Sequence, residues 1–295
     1  LKAAAAACYS PIGEVLPSLH GKESTAVRSP MGVIAIISPW NMPGILATRP
    51  FSVPMAMGNT IVLKPSEETP YLGGLFFAEV MEEAGVPPGV FNVITGVGEV
   101  VGAAIGRHMD IDCLTFTGST AVGKKFLEYS GQSNMKTVWL ECGGKNPNIV
   151  MADCPNMEKA AMNAAMNVFF NQGEVCASAS RLLVEESIRD EFLEKIIAIG
   201  QTRIPGDPLN PATNMGAIVD RSQFDRINGY IAIGQKEGAE LVLGGDTSKV
   251  DGKGLYVNPT IFKNVKNDMT IAREEIFGPV LSAISFTDID EAVAI

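Results

Sequence analysis

Between residues 33 and 141, short β-branched runs alternate with helix-length segments, and this alternation restricts the fold more than any other feature of the chain. GVIAIISPW (32–40), NTIVLKP (59–65), VFNVITG (90–96), DCLTFTGS (112–119) and KTVWLECGG (136–144) read as buried strands, being apolar on both alternating faces. Helix-like segments separate them at about 70–84, 98–108 and 119–130. A further one covers 43–58, where Pro50 and Pro54 predict a kink or break. Strand–helix–strand repetition is the pattern of a parallel sheet with helices packed on its faces.

A second αβ set follows. NPNIVM, a helix over 155–170, SRLLVEES, a helix from 187 to about 201 and another near 220–237 lead to the LVLGG, YVNPTIF and PVLSAISF runs. The expected fold class is therefore α/β, with a first sheet domain over 1–143 and a second over 144–295. The boundary is set where Gly143-Gly144 closes one pattern and Asn146-Pro147 opens the next. Residues 11–30 alternate in polarity and read as a hairpin off the main sheet.

At 295 residues the chain can bury a large core. Its balance, 23 basic minus 33 acidic residues, gives a net charge of −10. That argues against nucleic acid or an anionic membrane surface as partner, since both need a basic face. No run approaches the ~18 uninterrupted apolar residues of a membrane helix. The opening LKAAAAACYSPIG reads as a helix end rather than a leader. The five cysteines, at 8, 113, 142, 154 and 176, show no metal-ligand spacing, and no metal is expected. An odd, unpaired set also suits a reducing, cytoplasmic setting. The chain lacks an initiator Met and stops within the amphipathic DIDEAVAI, so both ends read as cut.

Cys176 lies in FFNQGEVCASAS, after a helix-breaking Asn171-Gln172-Gly173 and before a run of small residues. Open backbone amides there would favour a thiolate and stabilise an oxyanion. Cys8, Cys113 and Cys154 are read instead as packing thiols. Both histidines, His20 and His108, read as surface residues, which leaves a Cys/His hydrolase weakly supported. Glu141, ending the strand TVWLE before Gly-Gly, is the candidate base, and burial there would tune it for proton abstraction; the plain alternative is a turn residue. GVGEVVG (96–102) fails as a dinucleotide fingerprint, being GxGxxxG with no acidic strand end downstream. FTGSTAVG (116–123) is a better anion cradle, with Gly118, Ser119 and Gly123 at a strand-to-helix turn, although an ordinary N-cap explains it equally well. LKPSEE places Lys64, Ser66 and Glu67 at another strand end, where a ribose diol or simply solvent would suit them. Asn41, next to Trp40 in SPWNMPG, could donate to an oxyanion; Glu275 and Phe277 in REEIFGPV precede a Gly-Pro turn.

Taken in order, PWN, KPSE, FTGST, E-x-GGK, FFNQGEVC and EEIFGPV resemble the aldehyde dehydrogenase superfamily over essentially the whole chain. The resemblance implies a Rossmann-like cofactor domain, a second α/β catalytic domain and an oligomerisation hairpin at about 12–30. It implies Cys176 as nucleophile, Glu141 as general base and Asn41 as oxyanion donor. Trp40, Lys64, Ser66, Glu67, Gly118, Ser119, Gly123, Glu275 and Phe277 would bind the cofactor, NAD by the sign of Glu67, with NADP as the alternative. It further implies a small aldehyde as substrate and a homodimer or homotetramer of a longer parent. Cys142 follows Glu141 where the family usually carries an apolar residue such as Leu. The runs SNMKTVWLE, IVMADCP, RLLVEESIRDEFL and PGDPLNPATNMG look most similar to enzymes oxidising γ-glutamylaminobutyraldehyde and related aminoaldehydes; betaine-aldehyde and aromatic-aldehyde enzymes are the alternatives. A cysteine acyl-transferase or esterase would share the thiol but have no use for KPSE, FTGST and EEIFGPV. A non-catalytic protein on the same fold would be expected to have lost Cys176, Glu141 or Asn41.

Overall fold

The structure, a computed structural model, describes residues 1–9 and 13–295. The first two residues of the expected 11–30 hairpin, Pro11 and Ile12, lie outside them. The chain forms two compact units, Leu1–Cys142 and Gly143–Ile295.

In the first unit, α1 (Lys2–Ala7) precedes a hairpin of β1 (Gly13–Leu16) and β2 (Ser24–Val27), paired antiparallel with Gly13 opposite Val27. The main sheet comprises β3 (Val33–Ile37), β4 (Thr60–Lys64), β5 (Phe91–Val93), β6 (Cys113–Gly118) and β7 (Thr137–Cys142). The helices are α2 (Pro43–Ala56), α3 (Phe76–Glu83), α4 (Ala103–Arg107) and α5 (Thr120–Gly131), with π-helical turns at Tyr71–Leu75 and Gly98–Gly102 leading into α3 and α4. All neighbours in the order β5-β4-β3-β6-β7 are parallel. The period of two along β3 explains the double layer. Ile34 and Ile36 pack with Phe51 of α2 and Met81 of α3, whereas Ala35 and Ile37 pack with Ile105 of α4 and Phe126 of α5.

Helix α2 does not break where its prolines predicted. It runs through Pro50 and Pro54 from Pro43 to Ala56. Burial of Ala47 and Phe51 against the sheet supports it, and Thr48 Oγ1 donates to the Gly44 carbonyl. Packing outweighs the two lost backbone donors.

The second unit has a sheet in the order β10-β13-β14-β9-β8, from β8 (Pro147–Val150), β9 (Arg181–Glu185), β10 (Glu240–Leu243), β13 (Thr260–Lys263) and β14 (Val280–Phe286). All pairs are parallel except the antiparallel β10–β13 pair. Its helices are α6 (Met157–Phe169), α7 (Arg189–Gln201), α8 (Arg221–Lys236), α9 (Thr270–Arg273) and α10 (Ile289–Ala294). Leu182 and Val184 face Phe192 and Ile196 of α7, while Phe262 and Val280 face Ile227 and Ile231 of α8. The run YVNPTIF is not one strand. It divides at Asn258-Pro259 between β13 and β12 (Lys253–Val257), which pairs with β11 (Thr247–Val250) across Asp251-Gly252. Both turn residues have positive φ, 50° and 74°, the conformation an Asp-Gly hairpin turn demands. Pro259 cannot donate to a ladder, so the chain leaves one sheet there and enters the next.

Candidate active site

In the first unit the motif residues gather at one edge. Trp40 and Asn41, both half-buried, follow β3; Lys64 ends β4; Gly118 ends β6; Glu141 lies at the end of β7. Because the five strands are parallel, these are all carboxyl ends of one sheet. The winding reverses between β3 and β6, and the loops leaving two such strands diverge and leave a crevice at that switch point.

Around the crevice the polar groups are already linked. Lys64, buried, donates its Nζ to the Pro65 carbonyl at 2.9 Å and to Glu67 Oε2 at 3.2 Å. Glu67 Oε1 accepts the Gly98 amide at 3.2 Å. Partial burial opposes ionisation of Glu67, but its own amide, the Gly98 amide and Lys64 together hold the carboxyl below the ordinary range. The GVGEVVG segment, set aside as a fingerprint, thus supplies an amide to the KPSE motif. Ser66 Oγ accepts the Glu68 amide at 3.3 Å. Ser119 is the N-cap of α5, its Oγ accepting the Val122 amide at 3.3 Å, and it remains exposed. Gly123 is buried one turn in, where a Cβ would stand 3.2 Å from Cys142 Sγ. Its place in the structure is close packing of helix on strand.

Glu141 corrects an expectation: it is not buried. β7 is an edge strand whose residues alternate between exposed and half-buried, and Glu141 falls on the open face with Thr137 and Trp139. Its side chain is 64% exposed and lies 3.7 Å from Arg49 of α2. Cys8 is likewise exposed rather than a packing thiol, its Sγ directed at the Ala56 carbonyl, whereas Cys113 is buried as expected. His20 and His108 are exposed.

In the second unit Cys176 is a half-buried free thiol three residues beyond a tight turn. Asn171, Gln172 and Gly173 carry φ of 48°, 55° and 72°, a left-handed run that ends α6 abruptly. A Cβ at Gly173 would collide with the Gly278 carbonyl, so glycine is required there. After the turn, Asn146 Nδ2 donates to the Cys176 carbonyl at 3.0 Å, and Ser178 Oγ donates to the Asn167 carbonyl at 2.8 Å. The thiol is thereby set on a backbone fixed from both sides.

Glu275 Oε1 accepts the Gly144 amide at 3.3 Å, and a Cβ on Gly143 would overlap its carboxylate. Burial raises the Glu275 pKa, against the Gly144 amide, Arg226 and Lys145. The 275–277 loop is carried by α8. Arg226 donates to the Glu275 carbonyl at 2.9 Å, and Gln223 Nε2 donates to the Phe277 carbonyl at 2.7 Å; Phe277 itself has φ 59°. Lys145 Nζ is buried without a hydrogen-bond partner among the described residues. Burial, with Arg181 adding to it against Glu275, lowers its pKa to about 7. The sequence reading passed over Asn146, Gln223, Arg226 and Glu174, whose local patterns are those of ordinary polar residues. Only Glu174, a carboxylate two residues before the candidate thiol, carried a visible signal.

Among the described residues, no group of three His, Cys, Asp or Glu is placed to hold a metal ion, and no helix is long and apolar enough to cross a membrane.

Comparison with known proteins places the chain in a family. The family model described as "Aldehyde dehydrogenase family" matches residues 1–295. The NADP/NAD-dependent aldehyde dehydrogenase PuuC of Escherichia coli K12 is 46% identical over 281 residues, covering 95% of this chain and 56% of that protein. Among solved structures, the aldehyde dehydrogenase KauB from Pseudomonas aeruginosa superposes with a TM-score of 0.97 at 49% identity, over 99% of this chain and 59% of its own. The gamma-glutamyl-gamma-aminobutyraldehyde dehydrogenase from Burkholderia cenocepacia gives 0.93 at 48% identity, over 99% and 60%. The chain thus spans a little over half the length of the relatives it matches. With its motifs in order and both sheets superposing on those structures, the chain belongs to the aldehyde dehydrogenase family.

Proposed function

We propose that the protein carrying this chain oxidises a small aldehyde to the carboxylic acid, using NAD or NADP. The observation that carries this reading is the gathering of Asn41, Lys64, Glu67 and Ser119 at the carboxyl edge of a parallel sheet, around its switch point. A dinucleotide fits what is present there: amides at the start of α5 for a pyrophosphate, and the Lys64–Glu67 pair for a ribose diol. Glu67, held ionised, favours NAD by repelling a 2′-phosphate. Residues 1–143 serve as cofactor domain and 144–295 as catalytic domain, and the 12–30 hairpin serves in assembly of a homodimer or homotetramer. Glu275 and Phe277 hold the nicotinamide end, and Trp40, Ser66, Gly118 and Gly123 shape the cofactor site.

In this reading the Cys176 thiolate attacks the aldehyde carbon, giving a tetrahedral oxyanion held by the Asn41 side chain and the Cys176 amide. The nicotinamide, when bound, supplies the hydride acceptor that makes this step an oxidation. Glu141 then takes a proton from water, which attacks the Cys176 thioester and releases the acid. Its exposed carboxylate has water at hand. The substrate we favour is an aminoaldehyde of the γ-glutamylaminobutyraldehyde kind, with betaine and aromatic aldehydes as alternatives, and the setting is the cytoplasm.

Replacement of Cys176 by Ala in the whole protein is expected to abolish NADH formation while NAD binding persists; retained turnover would remove Cys176 as nucleophile. Substrate-treated Glu141→Gln protein should carry an acyl group on Cys176 by mass spectrometry, and its absence would remove Glu141 as base. Initial rates across amino-, aromatic and aliphatic aldehydes decide the substrate.

A further inference from the structure

Glu174 is a carboxyl inside the protein, 3% exposed, two residues before Cys176. Its Oε1 accepts the Val219 amide at 3.1 Å, and its carboxyl hydrogen-bonds the Gln172 carboxamide. Gln172 Oε1 in turn accepts the Gly216 amide at 3.0 Å. Two side chains, Gln172 in the left-handed turn and Glu174 directly after it, therefore clip onto one segment, 216–219. That segment is itself anchored, with Met215 and Ile218 buried and the Ile218 amide donating to the Leu255 carbonyl at 2.8 Å. One residue further on, Asp220 caps α8, the helix whose Gln223 and Arg226 carry the 275–277 loop.

Left-handed backbone at Asn171 and Gln172 is unfavourable for residues that carry a side chain and persists only where surroundings enforce it. Gly173 meets the requirement by having no side chain. Gln172 and Glu174 meet it through their bonds to 216–219.

We propose that Glu174 is a positioning residue for the nucleophile: bonded to Val219 and Gln172, it holds the Asn171–Gly173 turn in the form that aims the Cys176 thiol and backbone amide. This rests on the reading of Cys176 as nucleophile.

The protonation state follows from the surroundings. Burial raises the Glu174 pKa to about 8, the Val219 amide and Gln172 opposing and Asp220, the charged group facing it from α8, adding to the rise. Near neutrality the acid is therefore protonated. Above that range it becomes a second carboxylate beside Asp220, and like charge builds up at the end of the 216–219 segment. That repulsion loosens the clip and with it the aligned turn.

The test reads Cys176 directly. The rate of alkylation of Cys176 by iodoacetamide is followed by peptide mass spectrometry from pH 6 to 10 in the whole protein. Wild type is expected to show, besides the thiol's own titration, an inflection near pH 8. In Glu174→Gln that inflection is lost while the rate at pH 7 stays within about twofold, because the amide keeps the neutral acid's shape and acceptor. In Glu174→Ala the rate at pH 7 falls about tenfold, the equivalent of one lost hydrogen bond to a buried group. An inflection that persists in Glu174→Gln, or a wild-type rate in a cooperatively folded Glu174→Ala, overturns the proposal. Should Glu174→Ala not fold, the Glu174→Gln profile alone decides. Because the readout is modification and not turnover, a Cys176→Ala protein that still made NADH would overturn the nucleophile reading separately.

Discussion

Single residues in this protein carry opposed pH dependences. Glu174 stays protonated up to about 8, whereas an exposed glutamate ionises near 4.5. Between those values the unfolded chain releases this proton and the native one keeps it, so native stability falls as pH rises, by up to roughly 5 kcal/mol if no other group compensates. Urea denaturation at pH 5 and pH 8.5 should therefore show a larger loss of midpoint for wild type than for Glu174→Gln; equal losses would exclude the assignment. Lys145 has the reverse sign. Its pKa is depressed to about 7 from 10.5, so the unfolded state binds more protons across that interval and stability rises with pH. Lys145→Met should flatten the rise between pH 7 and 10, and an unchanged slope would show that the amine is charged in the native state.

At the level of the element, the ends of strands and helices hold the chemistry while their middles hold the fold. Ser119 illustrates the division: its Oγ caps α5, and the same helix start is the proposed pyrophosphate site. Removing the cap with Ser119→Ala should cost about 1 kcal/mol of stability. Asp caps as well as Ser but places a negative charge at the anion site, so Ser119→Asp should melt close to wild type and bind NAD about tenfold or more weakly. Calorimetric titration and thermal melts check both, and undiminished NAD affinity in Ser119→Asp would leave Ser119 as a cap alone. Element identity was largely legible. β3, β4, β6, α6, α7 and α8 fall where periodicity predicted them because each buries a face of the matching period. The miss at 247–257 is also instructive. Asp251-Gly252 was a readable turn signal, but its flanking strands are half-exposed and carry too weak an apolar alternation to be noticed.

For the whole molecule, the two units have different tasks in the proposed mechanism, and hydrogen exchange can separate them. Saturating NAD is expected to slow exchange in segments 38–42, 64–68, 97–99 and 118–123 of the intact protein. At a concentration about 100 times its dissociation constant the cofactor stabilises the form that binds it by about 2.7 kcal/mol. Protection found solely beyond residue 143 would reverse the assignment of cofactor and catalytic domains.

What the sequence determined by itself was everything set by neighbours along the chain: the strand–helix alternation, the strand-end positions of Asn41, Lys64 and Ser119, and the helix-breaking turn before Cys176. Tertiary structure decided whatever depends on partners distant in sequence. Glu141 and Glu174 are both carboxylates near apolar runs, and the sequence offered no means of ranking their burial. The first lies on the open face of an edge strand and stays in water. The second is covered by a segment 45 positions away and loses its charge at neutral pH. Solvent access is a property of the packed whole, and it decides which of two identical side chains stays in water and which is enclosed and held as an acid.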